Sequence, residues 1–287
     1  MQLTADAALR KQLVTRGRFQ VMSCNLAGVL AVEAETAHAF PRHSHDQFGV
    51  GLIKRGAQRS LSGRGVVDAR AGDLITVNPG EVHDGAPLGA ARRAWRMLYL
   101  DPALIVEAAC DANEGKTGTC EFVSPVLRNE ALANAFCVLY SALTAPQKVG
   151  AGLCRDEALA LLVGGLVRER PLETQPAVPA AIRRAQELLN DDPTAPVTLA
   201  AMARASGLSR FQVVRGFSRA FGLTPHAYLV QRRIDLARKL ITGGAALSDA
   251  AAASGFADQS HMTRHFVRRF GFPPGVLSAV GICPIQV

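Results

Sequence analysis

Two groups of residues in this chain of 287 have the types and spacing to do chemistry. The first is a set of histidines. His43 and His45 stand two apart, and His83 closes the segment PGEVH. Three imidazoles can ligate zinc or iron if the fold brings them together. The second group is rich in arginine and occurs twice. Residues 206–225 read SGLSRFQVVRGFSRAFGLTP, and residues 254–274 read SGFADQSHMTRHFVRRFGFPP. In register, Gly207 meets Gly255, Arg215 meets Arg264, Phe217 meets Phe266, Arg219 meets Arg268 and Phe221 meets Phe270. Guanidinium and amide groups on a helix face read base edges, and arginine also binds phosphate.

The elements that must hold these residues follow from the local sequence. A repeat of this length means two copies of one supersecondary unit. In the first copy Thr198 caps a short helix, Gly207 stops it, and Ser209 caps the next, RFQVVRGFSRAFG. Helix, glycine turn and helix make a helix-turn-helix. Val213, Phe217 and Phe221 recur every four residues and form the buried stripe. Arg210, Phe211, Val214 and Arg215 lie on the other side, where an exposed recognition helix meets the major groove. In the second copy Asp258 is the cap and Met262, Phe266 and Phe270 the buried stripe. Gln259, Ser260, Thr263 and Arg264 face outward. Arg219, Arg268 and Arg269, further along their helices, are placed for phosphate. Gly216 inside the first recognition helix costs about 1 kcal/mol relative to alanine. The helix HAYLVQRRIDLARKLI lies between the copies and spans about 24 Å.

Charge agrees with this reading. Residues 176–287 carry 13 Lys and Arg against 6 Asp and Glu, and the rest of the chain carries 19 against 18. The excess of the net +8 therefore sits with the repeat and suits a polyanion. Upstream, residues 17–100 alternate in short Val-, Ile- and Phe-rich segments broken by glycine turns, as a sandwich or barrel requires. Residues 101–170 change to helical period, and PLETQPAVPA at 171–180 reads as a linker. The six cysteines form no CxxC pair, the first twenty residues carry no secretory signal, and no apolar run is long enough to span a membrane. A cytoplasmic protein is expected.

The H-x-H pair, Gly56, Gly72 and PGEVH resemble the two motifs of the cupin barrels. A metal-binding cupin adds a carboxylate four or five residues after the second histidine; here Gly49 and Val50 stand there. No catalytic residue, metal or cofactor is therefore expected. His43, His45, His83, Trp95 and Tyr99 are candidates to line a small-ligand pocket. Residues 180–275 resemble the DNA-binding domain of the AraC/XylS regulators, through SR--VVRGFSRAFGLTPHAYLVQRRIDLARKLI and GFADQSHMTRHFVRRFGFPP. Beyond the two prolines the tail GVLSAVGICPIQV departs from the family pattern. The resemblance implies base contacts at Phe211, Gln212, Val214, Arg215, Gln259, Ser260, Thr263 and Arg264, with Ser209, Arg210, Arg219 and Arg268 beside them.

The expected fold is multidomain α+β. A cupin-like β-barrel with dimerisation helices occupies residues 1–170, and an all-α domain with two helix-turn-helix units occupies 181–287. The expected function is sequence-specific transcription regulation, as an activator, controlled by a small-molecule effector in the barrel and not by catalysis. Expected partners are double-stranded DNA, the effector, a second copy of the chain and RNA polymerase, with no membrane. The alternative is a metal-dependent cupin enzyme carrying a DNA-binding module.

Overall fold

The computed structural model describes residues 17–89, 92–112, 119–145, 151–170 and 178–280. Most of the expected linker, residues 171–177, and the tail 281–287 lie outside the described residues. The described residues divide into two compact units: 42–44 and 178–279 make up the second, and the rest the first.

The first unit is built on strands. Its larger sheet is antiparallel, with β1 (Gly17–Met22), β2 (Val29–Thr36), β9 (Arg93–Leu100), β4 (Phe48–Arg55), β7 (Leu74–Val77) and β11 (Val126–Leu127) in that order. A four-stranded sheet runs β3 (Phe40–His43), β8 (His83–Pro87), β5 (Ala57–Ser62) and β6 (Gly65–Arg70). The strands β10 (Thr119–Phe122) and β12 (Val167–Arg170) pair separately.

The expected barrel does not close. The two ladders stay distinct, with β1 and β11 ending one and β3 and β6 ending the other. Sandwiches and barrels demand the same in–out alternation, so residue pattern alone does not separate them. At the crossing from β4 to β5 the pairing with β9 slips at a bulge between Ile53 and Arg55. Gly56 follows at φ +76°, where a Cβ would lie 2.8 Å from the Arg92 carbonyl oxygen. The bulge and this left-handed residue turn the chain into the second sheet instead of continuing the first.

Alternation gives the larger sheet two different faces. Val29, Ala31, Phe48, Val50, Leu52, Leu74, Leu98 and Leu100 form one face. It is buried under α1 (Pro102–Ala112), α2 (Glu130–Thr144) and α3 (Ala151–Leu166), through residues such as Ile105, Phe136, Leu139 and Leu162. Each such side chain contributes about 1.5–3 kcal/mol. The opposite face carries Arg93, Trp95, Met97 and Tyr99 along β9. Gly49 and Gly51 on β4 leave the space that Met97 fills: a Cβ at 49 would lie 2.7 Å from Met97 Cε, and one at 51 would lie 2.5 Å from its sulfur.

The second unit is helical: α4 (Ala180–Asp191), α5 (Leu199–Ser206), α6 (Arg210–Phe221), α7 (Pro225–Thr242), α8 (Leu247–Ala253), α9 (Gln259–Phe270) and α10 (Gly275–Val280). Ile182, Ala185 and Leu189 of α4 pack with Met202, Val213, Phe217 and Leu229. This packing explains Gly216. A Cβ there would meet Ile182 Cδ1 at 2.5 Å and Cγ1 at 3.0 Å, so glycine is what lets α4 and α6 approach. Among the described residues, no helix is long and apolar enough to cross a membrane.

Gly216→Ala should therefore not show the roughly 1 kcal/mol gain of an open helix position. Overpacking offsets that gain, and the net change is expected to be a loss of up to about 2 kcal/mol in urea denaturation. Adding Ile182→Val, which removes the colliding Cδ1, should recover about 1 kcal/mol relative to additivity. A stabilised Gly216→Ala single variant would contradict the packing account.

Candidate nucleic-acid interface and ligand site

Both helix-turn-helix units are set by caps that the sequence supplies. Thr198 accepts from the Ala201 amide at the start of α5, and Gly207 ends that helix at φ 68°. Ser209 opens α6 with a reciprocal capping box: its hydroxyl accepts from the Gln212 amide, and Gln212 Oε1 accepts from the Ser209 amide. Asp258 opens α9 by accepting from the His261 amide at 2.6 Å. Each cap contributes about 1 kcal/mol and fixes where the recognition helix starts. Behind α6 lie Val213 and Phe217, with Phe221 and Tyr228 stacked on Phe217. Behind α9 lie Met262 and Phe266, with Phe270 and Phe272 against Phe266.

The outward faces hold most of the expected residues. On α6, Arg210, Phe211, Gln212, Arg215 and Arg219 are exposed, as is Ser209 at its cap, and Val214 is half-buried. Phe211 keeps 68% of its surface free, and the Arg215 guanidinium lies 5.4 Å from its ring centroid. Gln212 is partly committed, because its carbonyl oxygen closes the capping box. On α9, Gln259, Ser260, Arg264 and Arg268 are exposed and Thr263 is half-buried.

Arg269 departs from expectation. It falls seven residues after Met262 and three after Phe266, and so lies on the buried stripe. It is 6% exposed, donates to the Gln231 carbonyl at 3.1 Å and pairs with Asp235 of α7 at 2.7 Å. It is a strut between helices, not a surface cation. Arg233 of α7 likewise donates to the Pro193 and Gly255 carbonyls, at 2.7 and 2.8 Å. Tyr228 donates to Asn190 and accepts from Gln186 of α4. One helix thus grips both units.

A feature outside the sequence reading is the pair His261 and His265, one turn apart on α9, with ring nitrogens 3.1 Å apart against Phe256. Burial, and then the charges of His261, Arg268, His226 and Arg264, hold His265 below the ordinary histidine value. The i, i+4 spacing was the available signal.

His43 falls with Arg42 and Ser44 in the second unit, and the other candidate ligand residues, in the first, divide into two places. The Tyr99 ring lies 5.0 Å from that of His45, as does the His83 ring. Trp95 is elsewhere, stacked edge-on with Phe19 and Phe40 under the guanidinium of Arg93. Arg93 is 1% exposed and donates to Gln58 Oε1 and to the carbonyls of His38 and Gly85. Burial pushes its guanidinium down to about 10. The sequence reading did not single out Arg93, although strand alternation puts it on the same face as Trp95 and Tyr99.

With this geometry in place, comparison with known proteins is decisive for class. An AraC-like ligand binding domain matches residues 26–163, and a helix-turn-helix domain matches residues 202–279. The chain belongs to the AraC/XylS family of DNA-binding transcription regulators. It is 28% identical over 227 residues to the uncharacterized HTH-type transcriptional regulator YbfI of Bacillus subtilis, covering 78% of this chain and 81% of YbfI. It is 39% identical over 83 residues to the transcriptional activator NphR of a Rhodococcus species, covering 29% of this chain and 24% of NphR. Apo ToxT from Vibrio cholerae shares the fold at 13% identity and a TM-score of 0.56, over 89% of this chain and 98% of ToxT. YbfI and NphR are transcription regulators, and this chain is a regulator rather than an enzyme.

The strut between α7 and α9 is testable. Asp235→Ala leaves the Arg269 charge buried and unpaired, so it should destabilise the helical unit by about 3–5 kcal/mol in urea denaturation followed by helical ellipticity. A loss below about 1 kcal/mol, as for a surface pair, would show that α9 is not held this way.

Proposed function

We propose that this chain is a dimeric, effector-controlled activator that reads double-stranded DNA with both helix-turn-helix units. The observation that carries the proposal is the pair of exposed polar helix starts, α6 and α9, gripped by a single helix, α7. Base contacts are assigned to Phe211, Val214 and Arg215 in the first unit and to Gln259, Ser260, Thr263 and Arg264 in the second. Gln212 contributes through its free amide end. Ser209, Arg210, Arg219 and Arg268 serve the phosphates. The second unit, whose face is more polar, supplies most of the hydrogen-bonded specificity; Phe211 and Val214 suit thymine methyl contacts.

Residues 1–170 form the effector and dimer part, 171–180 the linker and 181–287 the DNA-binding part. The effector occupies the sandwich near His45, His83 and Tyr99, with Trp95 lining its aromatic end. It shifts regulation by binding two states of the protein with different affinity. Exposed Leu153 and Leu161 on α3, at 78% and 59%, with Val138 on α2, offer the apolar surface that a second copy covers. RNA polymerase is the further partner an activator requires, and the cytoplasm is the compartment where all of these meet.

Arg264→Ala should weaken binding to a selected target by about 1–3 kcal/mol and leave binding to random duplex nearly unchanged. Equal losses on both would make Arg264 a phosphate contact. Affinity for either duplex should fall steeply with salt.

Leu161→Asp should convert a dimer to a monomer in light scattering at micromolar concentration, with the fold intact by circular dichroism. An unchanged mass would place the dimer seam elsewhere.

A further inference from the structure

We infer that His261 and His265, one turn apart on α9, form a chelating site for one divalent late first-row transition metal ion. The inference concerns the helical unit alone and does not rest on the DNA contacts assigned above. Residues four apart on a helix lie one above the other on one face, so two histidines at this spacing can share an ion. Here the two Nε2 atoms lie 3.1 Å apart. At an imidazole–zinc distance of about 2.0–2.1 Å, that separation makes an N–metal–N angle of roughly 100°. The angle falls between the right angle of square-planar or octahedral ions and the tetrahedral one, so the pair needs little rearrangement to accept either.

A second observation is how the rings are held. Both are half-buried against Phe256, itself 6% exposed. His261 meets that ring edge-on with centroids 5.4 Å apart, and His265 lies at 6.0 Å. The Asp258 carboxylate fixes the start of the helix by accepting from the His261 amide. The wall and the cap limit the rotamers of both rings, so less ordering remains to be done when an ion binds. His265, held below the ordinary histidine value by burial first and by neighbouring positive charge second, is uncharged at neutral pH.

In the ion-free pair one ring donates its Nε2–H to the other Nε2. The ion takes that proton's place. The donor ring moves its proton to Nδ1 through solvent, both Nε2 lone pairs turn to the metal, and no net proton is released. Among the described residues, no third histidine, cysteine or carboxylate joins the pair at ligand distance. Solvent and small anions therefore fill the remaining positions. The pair lies between the buried stripe of Met262 and Phe266 and the exposed face of Arg264 and Arg268, whose guanidiniums favour an anion there. They also oppose the dication, an effect that water and salt screen on this half-exposed flank.

The test uses the untagged full chain, stripped with chelator and dialysed against Ni2+, which favours imidazole and, unlike Cu2+, does not oxidise the six cysteines. At free Ni2+ just sufficient to fill the pair, wild type should bind one ion per chain more than His261→Gln or His265→Gln. Each substitution should lower affinity for that ion at least about 10-fold, since a lost ligand costs no less than the roughly 10–100-fold of a lost outer-sphere partner. Ni2+ should also protect both histidines of the wild type from diethyl pyrocarbonate, mapped by peptide mass. If one variant proves unfolded by circular dichroism, the other and the wild-type mapping decide. Ni2+ held by either folded variant as tightly as by wild type overturns the inference. So does modification of His261 and His265 that Ni2+ leaves undiminished. None of these outcomes alters the DNA-binding reading, which stands or falls on duplex affinity.

Discussion

The buried ion pair between Asp235 and Arg269 is the constraint on which the DNA-binding half depends. The two side chains are 12% and 5% exposed and meet at 2.7 Å. Removing two charges from water costs several kcal/mol per ion, and only close pairing repays it. Any rotation of α9 that parts them leaves a buried charge uncompensated, so the face α9 presents is specified, not merely permitted. The same helix, α7, holds the turn of the second unit through Arg233 and the first unit through Tyr228. Along its 18 residues it holds the first recognition helix near its start, at Tyr228, and α9 at its middle, at Gln231 and Asp235.

The sheet half follows a different constraint, which is volume. Met97 fills the space above Gly49 and Gly51, and this divides the inner face of β9 into two chemical ends. At one end Arg93 lies among Trp95, Phe40 and neutral acceptors. At the other, Tyr99 and His83 stand beside His45. Four residues of strand, about 13 Å, separate Trp95 from Tyr99. A ligand touching both would have to extend along the strand. A compact one must choose an end, and the histidine end offers the stronger donors.

Sequence legibility was uneven for physical reasons. The caps Thr198, Ser209 and Asp258, and the glycines at 207, 222 and 271, are local devices, and local devices can be read from sequence. The buried stripe was legible as well, but extending it by one more turn would have moved Arg269 from phosphate to the core. Gly216 looked like a cost because its partner Ile182 is 34 positions away, and nothing local reveals that approach. Strands rich in Val, Ile and Phe, such as β2 and β4, stood out. FPRH of β3 and HDGAP of β8 did not, because they are short and carry little apolar content. Closure of the sheets was never encoded in alternation; it turns on a bulge and a crossing at Gly56. His45 and His83 were visible, but their convergence is a property of the tertiary fold.

The central claim is that α7 holds two recognition helices so that both read one face of the duplex. Hydroxyl-radical footprinting on a fragment selected from genomic DNA tests it most directly. The account predicts two protected segments per chain in successive major grooves, centred about 10 base pairs apart, with the segment under α9 lost in Asp235→Ala. A single protected segment per chain, or two segments unaffected by Asp235→Ala, would contradict it.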